Sequence, residues 1–243
     1  MESISNFKSF LDGLYQEYVQ NFDPTLPDPI FVAKKYNDEK IALFCALFAY
    51  GNAKQIVKFL ESIDFAMLGE SEKEISKILA YYRFQRPMDV AQLLITLKRS
   101  GSLEEIFHQG YKKEHSIVDG LKRLINYLRS LNSYSSYGYD FLIGKAPKSL
   151  SAGAYKRYNM YLRWMVRKDA IDLGLWKRVD KRDLLMPLDT HSFAVARKLG
   201  LLRRKSCDLM ASMELRDRLK EFDPNDPIKY DFALYRIGQL GKI

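Results

Sequence analysis

Apolar and polar positions recur along nearly the whole chain with the period of an α-helix, and that period predicts an all-helical fold. Phe7, Phe10, Leu11, Leu14, Tyr15, Tyr18 and Val19 fall at helical spacing, with Asp12 and Gln16 between them. A loop holding Pro24, Pro27 and Pro29 ends that segment. Ile41 to Tyr50 is largely apolar and predicts a buried helix, which Gly51-Asn52 breaks before a further helix from Lys54 to Phe65. The same reading predicts helices over 71–82, 88–99, 102–108, 116–131, 155–168, 190–200, 207–220 and 227–240. Pro227 suits a first helical position, with Asp226 as its cap. No alternating strand pattern of useful length and no internal repeat interrupts this picture. The predicted fold class is all-α.

A chain of 243 residues and 28.4 kDa can bury a substantial core, and we read 1–243 as a single helical unit. The stretch 132–148, rich in Ser, Tyr and Gly at its start, is the expected connection between lobes. No apolar run approaches a membrane span, and the amphipathic segment from Met1 to Phe10 carries Glu2 rather than a signal-peptide core. A cytoplasmic monomer that makes no use of membrane is expected. The two cysteines, Cys45 and Cys207, fall inside predicted helices as small fillers, and three histidines show no metal spacing. No metal or cofactor is implied.

Charge changes the picture more. The formal net charge is +9, which favours anionic partners. The base is concentrated: from Lys145 to Lys205 there are 16 Lys and Arg against five Asp and no Glu. That excess of eleven exceeds the net charge of the whole chain. Within it lies Pro187-Leu188-Asp189-Thr190-His191, a loop leading into an Ala-Val-Ala-Arg-Lys-Leu helix. Asp189 has an ordinary role available as the N-cap of that helix. Its candidate partner is Lys156, 33 residues earlier. A helix over 155–168 would put Lys156, Met160, Arg163 and Arg167 on one face, with Trp164 on the flank. Ordinary roles exist here too: Lys156 in water, Trp164 in the core, and Arg163 and Arg167 paired with Asp169 or Asp172.

The region 149–201 resembles the helix-hairpin-helix DNA glycosylase superfamily that includes endonuclease III. Leu150-Ser151-Ala152-Gly153-Ala154-Tyr155-Lys156 can be laid over the family's lysine-bearing hairpin, and Asp189-Thr190-His191 over its aspartate motif. Ala152 and Ala154 stand where the hairpin glycines would, and the interval between Lys156 and Asp189 is longer than is usual in endonuclease III. In both respects the chain is more similar to the archaeal 8-oxoguanine glycosylases. The strings from Arg163 to Asp169 and from Asp226 to Gly238 also resemble a bacterial family filed under a domain of unknown function.

The resemblance implies a two-lobed helical glycosylase fold with a degenerate helix-hairpin-helix, acting on double-stranded DNA with a damaged base. Lys156 and Asp189 are then catalytic. Asp231 and Tyr235, at i and i+4 near the C-terminus, would read and stack on an extruded base, with Trp164 beside them. Core packing for Tyr235 and a cap or ion pair for Asp231 are the alternatives. Ser151, Gly153, Arg157 and His191 would contact DNA, His191 by fixing the aspartate's helix, and Asn52 or Gln55 would fill the gap left by the base. The implied activity is base excision of an oxidised purine, most plausibly 8-oxoguanine, with a possible Schiff-base lyase step. A DNA-binding protein without chemistry is the alternative, and an RNA-binding helical protein is a third reading supported by charge and tyrosine content alone.

Overall fold

Side-chain caps decide where most of these helices begin. In the computed structural model, which describes residues 4–23 and 25–241, α1 (Ile4–Tyr15) runs on into a π-helical turn, Gln16–Gln20. Met1 and Glu2 of the amphipathic start, and Pro24 of the loop, lie outside the described residues. Asp28 accepts from Ile30 N to start α2 (Pro29–Tyr36), and Asp38 accepts from Lys40 N and Ile41 N to start α3 (Glu39–Leu47). Asn52 does the same for α4 (Ala53–Glu61). There follow α5 (Glu72–Ile75), α6 (Pro87–Arg99), α7 (Leu103–Tyr111), α8 (Ile117–Ser130) and α9 (Tyr137–Ile143). Ser102, Ser116 and Ser136 cap the last three. Beyond them lie α10 (Lys156–Val166), α11 (Thr190–Lys198), α12 (Leu209–Lys220) and α13 (Asp231–Gln239). The described residues are all-α, with only isolated β-type pairs such as Gly153 with Asp208. No helix among them is long and apolar enough to cross a membrane.

The chain divides into two compact units: the residues up to Leu26 together with those from Lys148 onward, and Pro27–Pro147 between them. The inserted unit is built on α3, whose residues from Ile41 to Leu47 are all buried. Phe44, Leu47 and Phe48 share its interior with Leu94, Leu97, Phe107 and Leu121, all without exposed surface. The first unit joins both chain ends. Phe7 meets Phe222 at 5.4 Å, and Tyr230 donates to Asp12 Oδ1 at 2.8 Å. Lys229 adds ion pairs to Asp12 at 3.2 Å and Asp223 at 2.8 Å.

Several local expectations are corrected. The helix predicted over 71–82 is one turn long, because Tyr82 leaves it to donate to Tyr50 O and Arg83 takes a left-handed backbone at φ 55°. The stretch 132–148 is not all connection, since it contains α9. Asp226 makes no side-chain cap: its carboxylate is taken by Arg167, and the chain forms a 3-10 turn, Pro227–Tyr230, before α13. Cys45 is buried in α3, where burial pushes its thiol up, but Cys207 lies exposed just before α12 rather than inside it.

Candidate active site

The lysine's position starts with a tight turn. Ser149 O accepts from Ala152 N at 3.2 Å, and the hydroxyls of Ser149 and Ser151 are 3.0 Å apart. The strand-like stretch after it is tied to the start of α12, with Leu209 N donating to Ala152 O and Met210 N to Leu150 O, both at 3.1 Å. Tyr155 then takes φ 49°, a left-handed conformation uncommon for a residue with a side chain, and turns the backbone into α10. Asn159 Nδ2 donates to Ala154 O at 2.8 Å and fastens that corner from inside. Lys156 is therefore the first residue of its helix, part-exposed, with Arg157 half-buried beside it.

Asp189 is set by α11. Its Oδ1 accepts from His191 N and Ser192 N at 2.9 Å and from Ser192 Oγ at 3.1 Å. Ser192 Oγ in turn accepts from Asp189 N at 3.0 Å, a reciprocal capping box. All of this uses one oxygen and the backbone. The other oxygen, Oδ2, faces Lys156 Nζ at 3.8 Å, with side-chain exposures of 30% for the lysine and 21% for the aspartate. The ordinary role of Asp189 and its pairing with Lys156 thus hold at once, one oxygen for each.

Helix α13 closes this group. It packs on α11 so closely that a Cβ on Gly238 would lie 2.8 Å from Val195 Cγ2 and 3.5 Å from His191 Cβ. His191, otherwise exposed, thereby rests its Cβ against α13. The half-buried ring of Tyr235 on α13 has Lys156 Nζ 5.9 Å from its centroid, within cation–π reach. Lys156, Asp189 and Tyr235 are brought together within one unit.

Two of the expected base contacts are corrected. Trp164 has no exposed surface and belongs to the core of α10, so it has no face to offer a base. Asp231 is 4% exposed and its Oδ2 is held by Arg163 Nη1, so its carboxylate is spent within the protein. Behind the lysine helix, Arg163 Nε also donates to Asp172 at 3.1 Å, while Arg167 binds Asp226 at 2.7 Å, Asp169 at 2.9 Å and Asp172. Four carboxylates therefore share two guanidiniums, with Lys181 adding a contact to Asp226 at 3.5 Å. Burial pushes the Asp172 carboxyl up to about 6 against the pull of both arginines. Asp231 is raised too, by burial first, with Arg163 opposing and Asp189 adding to the rise. Helical spacing puts Arg163 and Arg167 on one face with Lys156. Their acids at 226 and 231 lie 59 and 68 residues away, where no local pattern reaches.

The remaining expected residues are placed as follows. Ser151 and Gly153 are exposed on the turn before α10. Asn52 and Gln55 belong to the other unit, both exposed at the start of α4, and Asn52 Oδ1 accepts from Lys54 N and Gln55 N. Tyr155, which sequence reasoning passed over, carries the one conformational signal near the lysine: a bulky residue where its backbone favours glycine.

Comparison with known families adds an assignment without an activity. A family described as "Protein of unknown function (DUF2400)" matches residues 28–240. The chain belongs to that family. No curated protein and no solved structure gives a significant match. The DUF2400 match spans the Lys156 corner, the Asp189 cap and all four acids of the buried network.

Proposed function

We propose that this protein is a DNA glycosylase of base excision repair, removing an oxidised purine, 8-oxoguanine before others, with a Schiff-base lyase step at Lys156. The proposal includes a two-lobed glycosylase-type architecture with a degenerate helix-hairpin-helix at 149–158. The observation that supports it most is the approach of Lys156 Nζ to Asp189 Oδ2 at 3.8 Å across 33 residues of sequence. That oxygen is left over from an otherwise complete helix cap. A carboxylate anchored through one oxygen is rigid, and its second oxygen can face positive charge as it develops at C1′ of the sugar.

The chemistry then runs through two groups. The amine of Lys156, after giving up a proton, attacks C1′ while the N-glycosidic bond breaks and the base leaves with the bonding electrons, taking a proton as it goes. Ring opening yields the Schiff base between Nζ and C1′. Loss of a C2′ proton then expels the 3′ phosphate, and water releases the lysine. Tyr235 remains the aromatic candidate for stacking on the extruded base, its ring half-buried beside Nζ. The base-edge contact drops out of the assignment together with Asp231.

Duplex oligonucleotides carrying 8-oxoguanine test the reading by mass-spectrometric detection of the free base. Release by the parent, none by Lys156→Gln and release slowed roughly 100- to 1,000-fold in Asp189→Asn is the expected result; no release by the folded parent from any oxidised-purine duplex contradicts it. A second reading, DNA binding without chemistry, draws on the hairpin. Its glycine positions are Ala152 and Ala154, and the carbonyls of Leu150 and Ala152 are already committed to α12. Salt-sensitive duplex binding that is unchanged in both variants, with no base release, would favour it.

A further inference from the structure

The inserted unit carries an aromatic surface that the Lys156 chemistry does not use. Between α5 and α6 the chain makes a tight antiparallel turn, Tyr82 N donating to Gln85 O at 3.2 Å and Gln85 N to Tyr82 O at 2.9 Å. At its tip Arg83 takes a left-handed backbone, a conformation that a non-glycine residue keeps only where its surroundings impose it. The bracing is visible: Tyr82 donates to Tyr50 O at 2.7 Å, and Gln85 accepts from Tyr50 Oη and donates to Gly138 O at 3.4 Å. Gly51, at φ 99°, lets the tip come close, since a Cβ there would lie 2.5 Å from Arg83 Nη1.

What this rigid turn displays is unusual for an exposed surface. Phe84 is 39% exposed and Tyr137 78%, with their rings 5.2 Å apart. Phe141 supports Phe84 at 5.0 Å and Tyr50 supports both from within, at 6.0 and 4.9 Å. Tyr81, the residue before this turn, is 72% exposed. The ten residues from Leu79 to Met88 contain Arg83 and Arg86, both exposed, and no acid; Asp89, which follows, is buried under hydroxyls of Tyr134 and Ser136. Asp140, part-exposed on α9 between Tyr137 and Phe141, is paired with Arg129 at 3.0 Å. Planar rings held still, with guanidiniums beside them and that one carboxylate neutralised, fit a ligand that offers π faces on a polyanionic backbone.

We propose that this turn is a binding platform for a single-stranded polynucleotide, two or more unstacked bases lying on Phe84, Tyr137 and Tyr81 while Arg83 and Arg86 meet the phosphates. Exposed rings alone would equally fit an apolar partner. Arg83 and Arg86, in a stretch without acid, and the pairing of Asp140 with Arg129 select a polyanion instead. The platform does not depend on Lys156 and stands whether or not the chain excises bases.

The test uses the full chain with unstructured oligo(dT) and oligo(rU), each carrying one 5-iodouracil. Irradiation is expected to cross-link the base to Phe84, Tyr137 or Tyr81. Each of Phe84→Ala and Tyr137→Ala should weaken binding by roughly 5- to 150-fold, the range that a single aromatic–base stack implies. Because Tyr137 is 78% exposed, thermal melting of Tyr137→Ala should match the parent. Phe84→Ala also loses the ring's contact with Phe141, so its binding is compared below its own melting temperature. Lys156→Gln should bind the strands as the parent does. Comparing the two probes assigns the strand to DNA or RNA. Cross-links elsewhere, or affinity unchanged in the double variant, overturn the proposal. So does a concentration-dependent self-association of the parent that the double variant loses, because the occupant would then be a second copy of the chain.

Discussion

Asp189 allows its two roles to be separated by two substitutions. Its Oδ1 accepts two backbone N–H groups and a hydroxyl at the start of α11, and its Oδ2 faces Lys156 at 3.8 Å. Asparagine keeps an amide oxygen for the cap, and at N-cap positions it performs about as well as aspartate. Asp189→Asn therefore sacrifices only the charge opposite Lys156. For a pair this exposed, that charge contributes on the order of 0–1 kcal/mol to stability. Asp189→Ala removes the cap as well, costing roughly 1 kcal/mol and at most about 2. For a chain of this size each kcal/mol moves the melting temperature by about 2–4 °C. The structure thus predicts that alanine lowers Tm by about 2–8 °C while asparagine lowers it less. Activity should divide the other way. Loss of one preorganised charge facing a developing cation costs roughly 100- to 1,000-fold in rate, equally in both variants. Thermal melting followed by circular dichroism and single-turnover base release measure the two effects separately. A folded Asp189→Asn protein with parental turnover would refute the reasoning, because the cap would then be the residue's whole contribution.

Three further outcomes follow from the same geometry. Arg163→Ala leaves Asp231 buried without its guanidinium and Asp172 with Arg167 alone, and should destabilise by about 3–5 kcal/mol, seen as a lower urea midpoint; a loss within measurement error would mean the pairs contribute little. The Asp172 carboxyl is raised to about 6, so the folded state holds its proton more tightly than the unfolded chain does. Its contribution to stability is full below the ordinary aspartate range and is lost as pH rises through about 6. Asp172→Asn should accordingly flatten the pH dependence of Tm between about 4 and 6, and an unchanged slope would contradict the assignment. Gly51→Ala should destabilise the inserted unit, since φ 99° is a backbone conformation that a residue with a side chain rarely adopts; an unaltered melt would show that the turn yields freely.

Much of this fold was legible because its causes are local. The cap at Asp189 lies next to the helix it starts, and α3 announced its burial by being apolar on every side. Helix α2 was not legible, because Pro27 and Pro29 read as loop while Pro29 in fact opens the helix behind the Asp28 cap. The predicted helix over 155–168 matches α10 within two residues at its C-terminal end, where Arg167 is drawn off into ion pairs. What stayed hidden depends on distance along the chain. Asp226 reads as a cap until Arg167 claims it from 59 residues away. Asp231 reads as a free carboxylate until Arg163 does the same across 68. The turn at Tyr82 reads as the end of a helix because its reason for leaving, the carbonyl of Tyr50, belongs to another part of the sequence. The pairing of Lys156 with Asp189 rested on resemblance rather than on period, and period alone left the lysine in water.

Borohydride trapping on duplexes carrying 8-oxoguanine, uracil, an abasic site or no lesion tests the central claim most directly. The account predicts a covalent adduct with the 8-oxoguanine duplex, mapped to Lys156 by peptide mass spectrometry and absent from Lys156→Gln. An adduct that persists in Lys156→Gln, or trapping confined to the abasic duplex, where any nearby amine can react, would contradict it.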